Sequence, residues 1–543
     1  MSKIFSPISV AWGYYTIFWI FTFTLGCITG CRCPRPKEKA LRRSSFHAHS
    51  VIFAMGFQIK NTRYMQYVAA LAATISISAG SMYISWSSPA DKSLQPGESS
   101  LEDPIVGEEL SWLKSIYLLA GLPISPLVAY LLDKIGRKWT LMLGGFFLFF
   151  PWFIIIFATK SWMVFLGRFL GGCGYGFVVN GCSIYNGEIA DSDIRGKLGT
   201  SFNLMKLVGN MLVLGAGPFI SYQALGAICA VVPVIFMVVF YFMPESPFYL
   251  VRCGKMEEAK SVLCRLSPQN MEDAEIEKKL LKISDIVKSD MENKMSFKEF
   301  ITKKEYRKII FIIFGVKTLQ QMAGNAAIEG YMQHIIESTG SSISSEMSSI
   351  IFGAVQFPAT ILSSLVVDKM GRKPMLLISA LICALALIGE GVYFFLQNYL
   401  MEDVTALSWL PTTGIVLFLV SSTFGVLNLP YVLLGELFPT NIKGIAVTTA
   451  TFYGFLLAFI VTKIFEPIKQ AWGFYTIFWI FAGFCIAGAL FVLFFLPETK
   501  GKNFDEIQAK INYGKHWRDH MTSKNETETK KDNETNTKQE EKY

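Results

Sequence analysis

The hexapeptide DKIGRK, residues 133–138, returns as DKMGRK at residues 368–373. Each copy follows the second apolar window in a series of six. Two further pieces recur in the same order. GEIADSDIRG (187–196) comes back as GELFPTNIKG (435–444), and PESP (244–247) as PETK (497–500). The offsets of 235, 248 and 253 residues grow slowly, as duplicated units with different loops require. Two parallel repeats of six crossings each keep the same orientation. That is the plan of a two-bundle carrier whose site lies between the repeats.

Composition supports a membrane setting. The chain of 543 residues is 52% hydrophobic and 17% charged, against about 25% charged in soluble domains. The deficit is concentrated in stretches near the length that crosses a bilayer. From residue 63 the windows run near 64–86, 112–132, 139–158, 162–185, 199–220 and 223–243. Six more follow, near 309–332, 347–367, 374–396, 411–434, 444–465 and 472–496. The expected fold is therefore an all-α polytopic membrane protein with twelve core transmembrane helices in two six-helix bundles. The expected units are a 63–243 bundle, a 244–308 central loop with short amphipathic helices, a 309–496 bundle and a 497–543 tail, disordered from about 522. The helices of the central loop read as a solvated linker bundle or as a site for a calmodulin-like partner.

Ten cysteines do not make a disulfide scaffold here, because most, such as Cys173, Cys182, Cys229, Cys383 and Cys485, sit in apolar segments. CRC at 31–33 has no second ligand pair at metal-binding spacing. No nucleophile–base constellation suggests an enzyme, and no prosthetic cofactor is expected. The net charge of +8 acts through its placement and carries no nucleic-acid signal. Lys134, Arg137, Lys138, Arg195, Lys197, Lys369, Arg372, Lys373, Lys443, Lys500 and Lys502 all fall on one side, whereas the first opposite loop (87–110) has six acids against Lys92. The bias toward basic loops inside puts the core's start, its central loop and its C-terminus in the cytoplasm of a multi-pass plasma-membrane protein.

The recurring acids give the basic clusters a second use. Asp133 with Arg137, Asp368 with Arg372, Glu188 with Arg195 and Glu436 with Lys443 stand at helix ends, beside Glu245 and Glu498 of the PESP and PETK pieces. Carboxylate–cation bonds between neighbouring helices can hold that side closed and release it on opening. The plainer alternative is topology alone.

These pieces together resemble the sugar porter branch of the major facilitator superfamily. The resemblance rests on GRFLGGCGYG (167–176), IYNGEIADSDIRGKLGT (184–200), PESPFYL (244–250), LQQMAG (319–324), DKMGRK, LLGELFPTNIKG (433–444) and LPETKGKNFDEI (496–507), across about residues 60–510. AFIVTK (458–463) and the loop plan are most similar to insect facilitated trehalose transporters. The resemblance implies the major facilitator fold and alternating-access transport of trehalose or a hexose such as glucose by a functional monomer. Proton-coupled symport and a nontransporting sugar sensor are the alternatives.

Amide side chains suit sugars because they both donate and accept hydrogen bonds. Gln320 and Gln321 in the seventh window are the first candidates, and in the resembling family this pair faces the sugar. A structural bond to a neighbouring helix is the alternative for such a buried amide. Gln356, Asn325, Asn203 and Tyr431 are further candidates. The family's QQxxGINA reads QQMAGNAA here, which turns Asn325 by about 100° from the usual asparagine position. Its span-5 glutamine is Asn203, its PxY becomes SIY at Ser183, its GPxPW becomes LNLPY with Pro430 and Tyr431, and an asparagine–tryptophan pair becomes Gly454 and Phe455. Related symporters place an acid in span 1 near an arginine in span 4. Here Arg168 remains and the acid is missing, which favours uniport. Glu329 is the candidate coupling group, titrating during transport or standing as a water-exposed vestibule carboxylate, and Glu390 reads as the latter.

AWGYYTIFWIF (11–21) nearly repeats AWGFYTIFWIF (471–481). The duplication of the six-span unit predicts no copy there. Residues 10–30, within an atypical 1–62 extension, are apolar enough for an extra span. A recent exon duplication or an erroneous gene model accounts for the near identity, and a selected accessory span is the alternative.

Overall fold

The computed structural model describes residues 64–94, 96, 101–191, 194–268, 271–292, 297–339, 345–438, 440–501 and 504–513. The N-terminal repeat and the tail beyond 513 lie outside them. All regular structure among the described residues is helical. Six helices come first: α1 (Tyr64–Leu94), α2 (Glu108–Ile135), α3 (Arg137–Ile156), α4 (Ser161–Ile189), α5 (Arg195–Ala216) and α6 (Tyr222–Tyr241). Four short ones follow, α7 (Pro247–Arg252), α8 (Met256–Leu266), α9 (Asp273–Glu292) and α10 (Phe297–Thr302). The remainder are α11 (Lys304–Met322), α12 (Asn325–Glu337), α13 (Ser345–Met370), α14 (Arg372–Asn398), α15 (Leu410–Phe424), α16 (Leu429–Leu437), α17 (Thr440–Trp472), α18 (Phe474–Phe495) and α19 (Phe504–Tyr513).

Ten described helical stretches are long and apolar enough to cross a membrane, which makes this an all-α polytopic membrane fold. Two expected windows fall outside the ten. In α5, Arg195, Lys197, Asn203, Lys206 and Asn210 dilute the apolar residues. The 309–332 window is divided at Ala323–Gly324 into helices of 19 and 13 residues. Gly324 takes φ +85°, and a Cβ there would stand 2.3 Å from the Phe481 ring, so only glycine fits the break. The 411–434 window is interrupted likewise, between Phe424 and Leu429.

Buried apolar residues form two large clusters, one within 65–266 and the other within 300–507. A small third cluster, Ile84, Tyr117, Leu118, Phe455 and Ala458, joins residues from both halves. Contacts between the halves run through α2 with α17, α5 with α13 and α1 with α12. Helix α1 is built largely of Ala, Ser and Gly and is buried almost all round. Small residues allow such close approach, and several of its Ser and Thr hydroxyls return to their own helix, as Ser76 Oγ does to the Ala73 carbonyl at 2.6 Å. By contrast Phe146, Phe150, Phe153 and Phe157 stand exposed along one face of α3, as a lipid-facing surface requires.

Candidate functional site

Two breaks in the second half face one cavity between the halves. A broken helix frees backbone groups, which membrane proteins tolerate only where other groups satisfy them or a cavity is lined. The Leu427 carbonyl, in the gap between α15 and α16, accepts from Gln320 Nε2 at 2.6 Å. The other end of that amide, Gln320 Oε1, accepts from Lys317 Nζ at 2.8 Å. Gln320 therefore has both amide groups engaged by protein, one of them in an inter-helix bond, and it lines the cavity as well.

The cavity is lined by both halves: Tyr117, Tyr175 and Lys206 from the first, and Lys317, Gln320, Gln321, Asn325, Glu329, Tyr431 and Thr451 from the second. Gln321 faces it. Asn325, only 5% exposed, also lines it, and its Nδ2 has no hydrogen-bond partner among the described residues. The ring of Tyr431 lies 3.8 Å beneath the Lys317 ammonium. Asn203 and Gln356 are not among the lining residues: Asn203 is half-buried on α5 and Gln356 is buried on α13. Helix α5 reaches the cavity through Lys206, three residues from Asn203, and α13 contributes none of the lining residues.

Glu329 is not the water-exposed carboxylate of the plainer reading. It is 9% exposed and pairs with Lys206 Nζ of the first half at 3.4 Å. Glu390 is buried too, at 1% exposure, packed against Gly414. Arg168 stands apart from the charge clusters. Its guanidinium donates to the carbonyl of Leu113 at 3.1 Å and to that of Tyr83, and lies over the rings of Tyr117 and Trp86. Sequence reasoning passed over Lys206 and Lys317. The signal was present, since a lysine inside an apolar window is expensive and marks a functional position by default.

The recurring punctuation builds two matching clusters, with partners different from those the spacing suggests. Arg137 forms a forked pair with Glu188, from Nε at 2.9 Å and Nη2 at 2.7 Å, while its distance to Asp133 is 3.8 Å. Asp133 bonds Arg252 instead. In the second half Arg372 pairs with Glu436 at 2.9–3.0 Å. The guanidinium fork matches a carboxylate best in this bidentate geometry, which a partner on a neighbouring helix reaches and an i,i+4 partner does not. The side chains of Arg195, Asp368 and Lys443 lie outside the described residues.

Glu245 and Glu498 act as caps on helices that begin far from them in sequence. Glu245 accepts from the backbone N–H groups of Arg137 and Lys138 at 3.1 Å, and Glu498 from those of Arg372 and Lys373 at 3.0 Å. A carboxylate at a helix N-terminus satisfies otherwise orphaned donors and complements the helix dipole. The glycine of each motif makes room for it. Gly136 (φ +96°) and Gly371 (φ +94°) leave 2.4 and 2.9 Å between an added Cβ and the capping carboxylate. Burial drives the Glu245 carboxyl above its ordinary value despite the donors around it. For Glu498, burial also pushes upward, but the N–H groups of Lys500, Arg372, Lys373 and Thr499 outweigh it and hold the value low.

These described ion pairs stay within one half. At the opposite end, polar contacts cross between halves. Lys463 Nζ donates to Ser111 Oγ at 2.6 Å, the Gln333 N–H to Ser88 Oγ at 3.4 Å, and Lys114, paired with Asp91 at 2.7 Å, lies 3.8 Å over the Tyr331 ring.

The profile of the sugar (and other) transporter family matches residues 60–511. The chain belongs to that family. It is a membrane transporter and not an enzyme, and no group of metal-ligating side chains occurs among the described residues. The facilitated trehalose transporter Tret1 of Bombyx mori is 33% identical over 449 residues, covering 82% of this chain and 87% of that protein. The Tret1 of Polypedilum vanderplanki is 32% identical, covering 82% and 88%. Among solved structures, the inward open conformation of the xylose transporter XylE from E. coli superposes with a TM-score of 0.67 at 21% identity, covering 82% of this chain and 99% of that one. The proton:xylose symporter XylE bound to 6-bromo-6-deoxy-D-glucose gives the same TM-score at 20% identity. These structures establish the likeness of fold.

Proposed function

We propose that this transporter moves a sugar across the plasma membrane by alternating access, as a uniporter of twelve spans in two six-helix bundles. The observation that carries the reading is the cavity between the halves, lined by Gln321, Asn325 and Thr451 and bridged across by polar contacts at one end. The α11–α12 pair and the α15–α16 pair each count as one interrupted span, and α5 as a polar one. The basic clusters support a cytoplasmic position for the Arg137 and Arg372 end, with the cross-half contacts of Lys463 and Lys114 closing the outer side.

Uniport is favoured by the partners of Arg168, which are carbonyls and rings. Glu329 is held by Lys206, so it is the residue to examine if coupling is found. Trehalose, the solute named for the insect relatives, and glucose are the sugars to test first. Labelled trehalose and glucose counterflow should proceed in proteoliposomes of the full chain without an imposed proton gradient. Accumulation that requires the gradient would replace uniport by symport. A folded, inserted protein that exchanges no sugar would overturn the proposal.

A further inference from the structure

Resting on that reading of the cavity as a sugar site, we infer that its preferred solute is a sugar acid carrying one carboxylate, which Lys317 meets. The argument begins with the charges that line the cavity. Lys206, Lys317 and Glu329 are its ionisable Lys and Glu side chains. Lys206 and Glu329 hold each other at 3.4 Å. Lys317 is left with neutral partners, the Gln320 amide oxygen at 2.8 Å and the Tyr431 ring at 3.8 Å, and no described carboxylate lies within ion-pair distance. It is 2% exposed. An amide oxygen and an aromatic face lower the cost of a buried ammonium but do not neutralise it. An ammonium at Lys317 therefore has no described counter-charge in a low-dielectric chamber.

Space lies beside the Lys317 side chain. Gly454 lines the same cavity, and a Cβ built on it would meet only Gln321 Nε2 at 3.5 Å and Lys317 Cδ at 4.0 Å. The missing side chain thus opens room at Gln321 and Lys317 together. A carboxylate placed there accepts from the ammonium and from the Gln321 amide. The sugar hydroxyls then reach the unpartnered Asn325 Nδ2 and the Thr451 hydroxyl. Charge decides between the anionic classes. A monoanion balances Lys317, whereas a phosphate dianion leaves a negative charge facing Glu329. A neutral sugar leaves the ammonium unbalanced. Glu329 also sets the orientation, because it repels the carboxylate toward the Lys317 side.

The test is exchange by the full chain in proteoliposomes, comparing labelled glucuronate, glucose and trehalose. Glucuronate should exchange about tenfold or more faster than glucose at equal concentration, a preference of the size that one desolvated charge contact provides. Lys317→Gln should lower the glucuronate-to-glucose ratio about tenfold, and Lys317→Arg, which keeps the charge, should retain most of it. Folding of each variant is checked by its melting temperature in detergent. Glucose or trehalose exchange that glucuronate does not compete with, or a ratio unmoved by Lys317→Gln in folded protein, overturns this inference and leaves sugar transport standing. Faster exchange of glucose 6-phosphate than of glucuronate also overturns it. Exchange of none of these solutes by a folded, inserted chain overturns both readings.

Discussion

The two halves use the same punctuation to different effect. In the first half α1 and α4 run unbroken for 31 and 29 residues. Their counterparts in the second half are interrupted at Gly324 and at Gly425–Asn428. The freed backbone groups and the side chains that satisfy them make the second half the polar wall of the cavity. The first half contributes aromatic rings and Lys206. The charge clusters differ in the opposite sense. Arg137 and Glu188 are 9% and 17% exposed, against 14% and 26% for Arg372 and Glu436. A duplicated motif therefore sets which atoms meet, while local burial sets what the meeting is worth.

Substituting one arginine in each half should give the largest contrast. Arg137→Gln strands Glu188 in the more enclosed cluster and should cost about 3 kcal/mol, the low end for breaking a buried pair. Arg372→Gln should cost about half as much, since water reaches Glu436 more easily. Chemical denaturation in detergent measures both, and equal losses would break the comparison.

The motif glycines should follow at roughly 1–3 kcal/mol, the usual cost of forcing a side chain into such backbone. Gly136→Ala should be worse than Gly371→Ala, because its Cβ comes closer to its capping carboxylate and also stands 2.8 Å from Tyr249. Thermal melting resolves the order.

Gln320 and Gln321 are adjacent and should separate cleanly. Gln320→Ala leaves the Leu427 carbonyl without its amide donor and Lys317 with only the Tyr431 ring, and should lower stability by about 1–3 kcal/mol. Gln321→Ala should leave the melting temperature nearly unchanged and weaken solute exchange. A stability loss in the second variant equal to the first would contradict the assignment of Gln320 to the helix break.

The smallest effects concern pH. Glu498 has a lowered folded value, so its contribution is present above the ordinary carboxylate value and fades as pH falls through the folded one. Glu245 has a raised value, so folding loses stability as pH rises from the ordinary value through the raised one. Glu498→Gln should therefore flatten the acid-side fall in melting temperature, and Glu245→Gln should remove a decline just above the ordinary carboxylate range. Matching profiles for the two variants would show that the halves do not differ in this respect.

The sequence by itself determined the class of molecule, the membrane setting and the family, through apolar windows and ordered motifs. It also marked the charge-cluster positions, because glycine in DKxGRK and acid in PES and PET are demands of local backbone and helix ends. It singled out the glutamine pair and Tyr431, which the cavity brings together with Asn325. Only tertiary structure decided which carboxylate each arginine holds, since Glu188 lies 51 residues from Arg137 and an adjacent acid looked the nearer choice. It also decided that Gln320 bonds the Leu427 carbonyl, that Asn203 and Gln356 do not line the cavity, that Arg168 bonds carbonyls, and that Glu329 crosses to Lys206. Hydropathy and turn chemistry are local and can be read along a chain. Pairing and desolvation depend on groups that meet only when distant helices pack, and they set the sign of a buried charge.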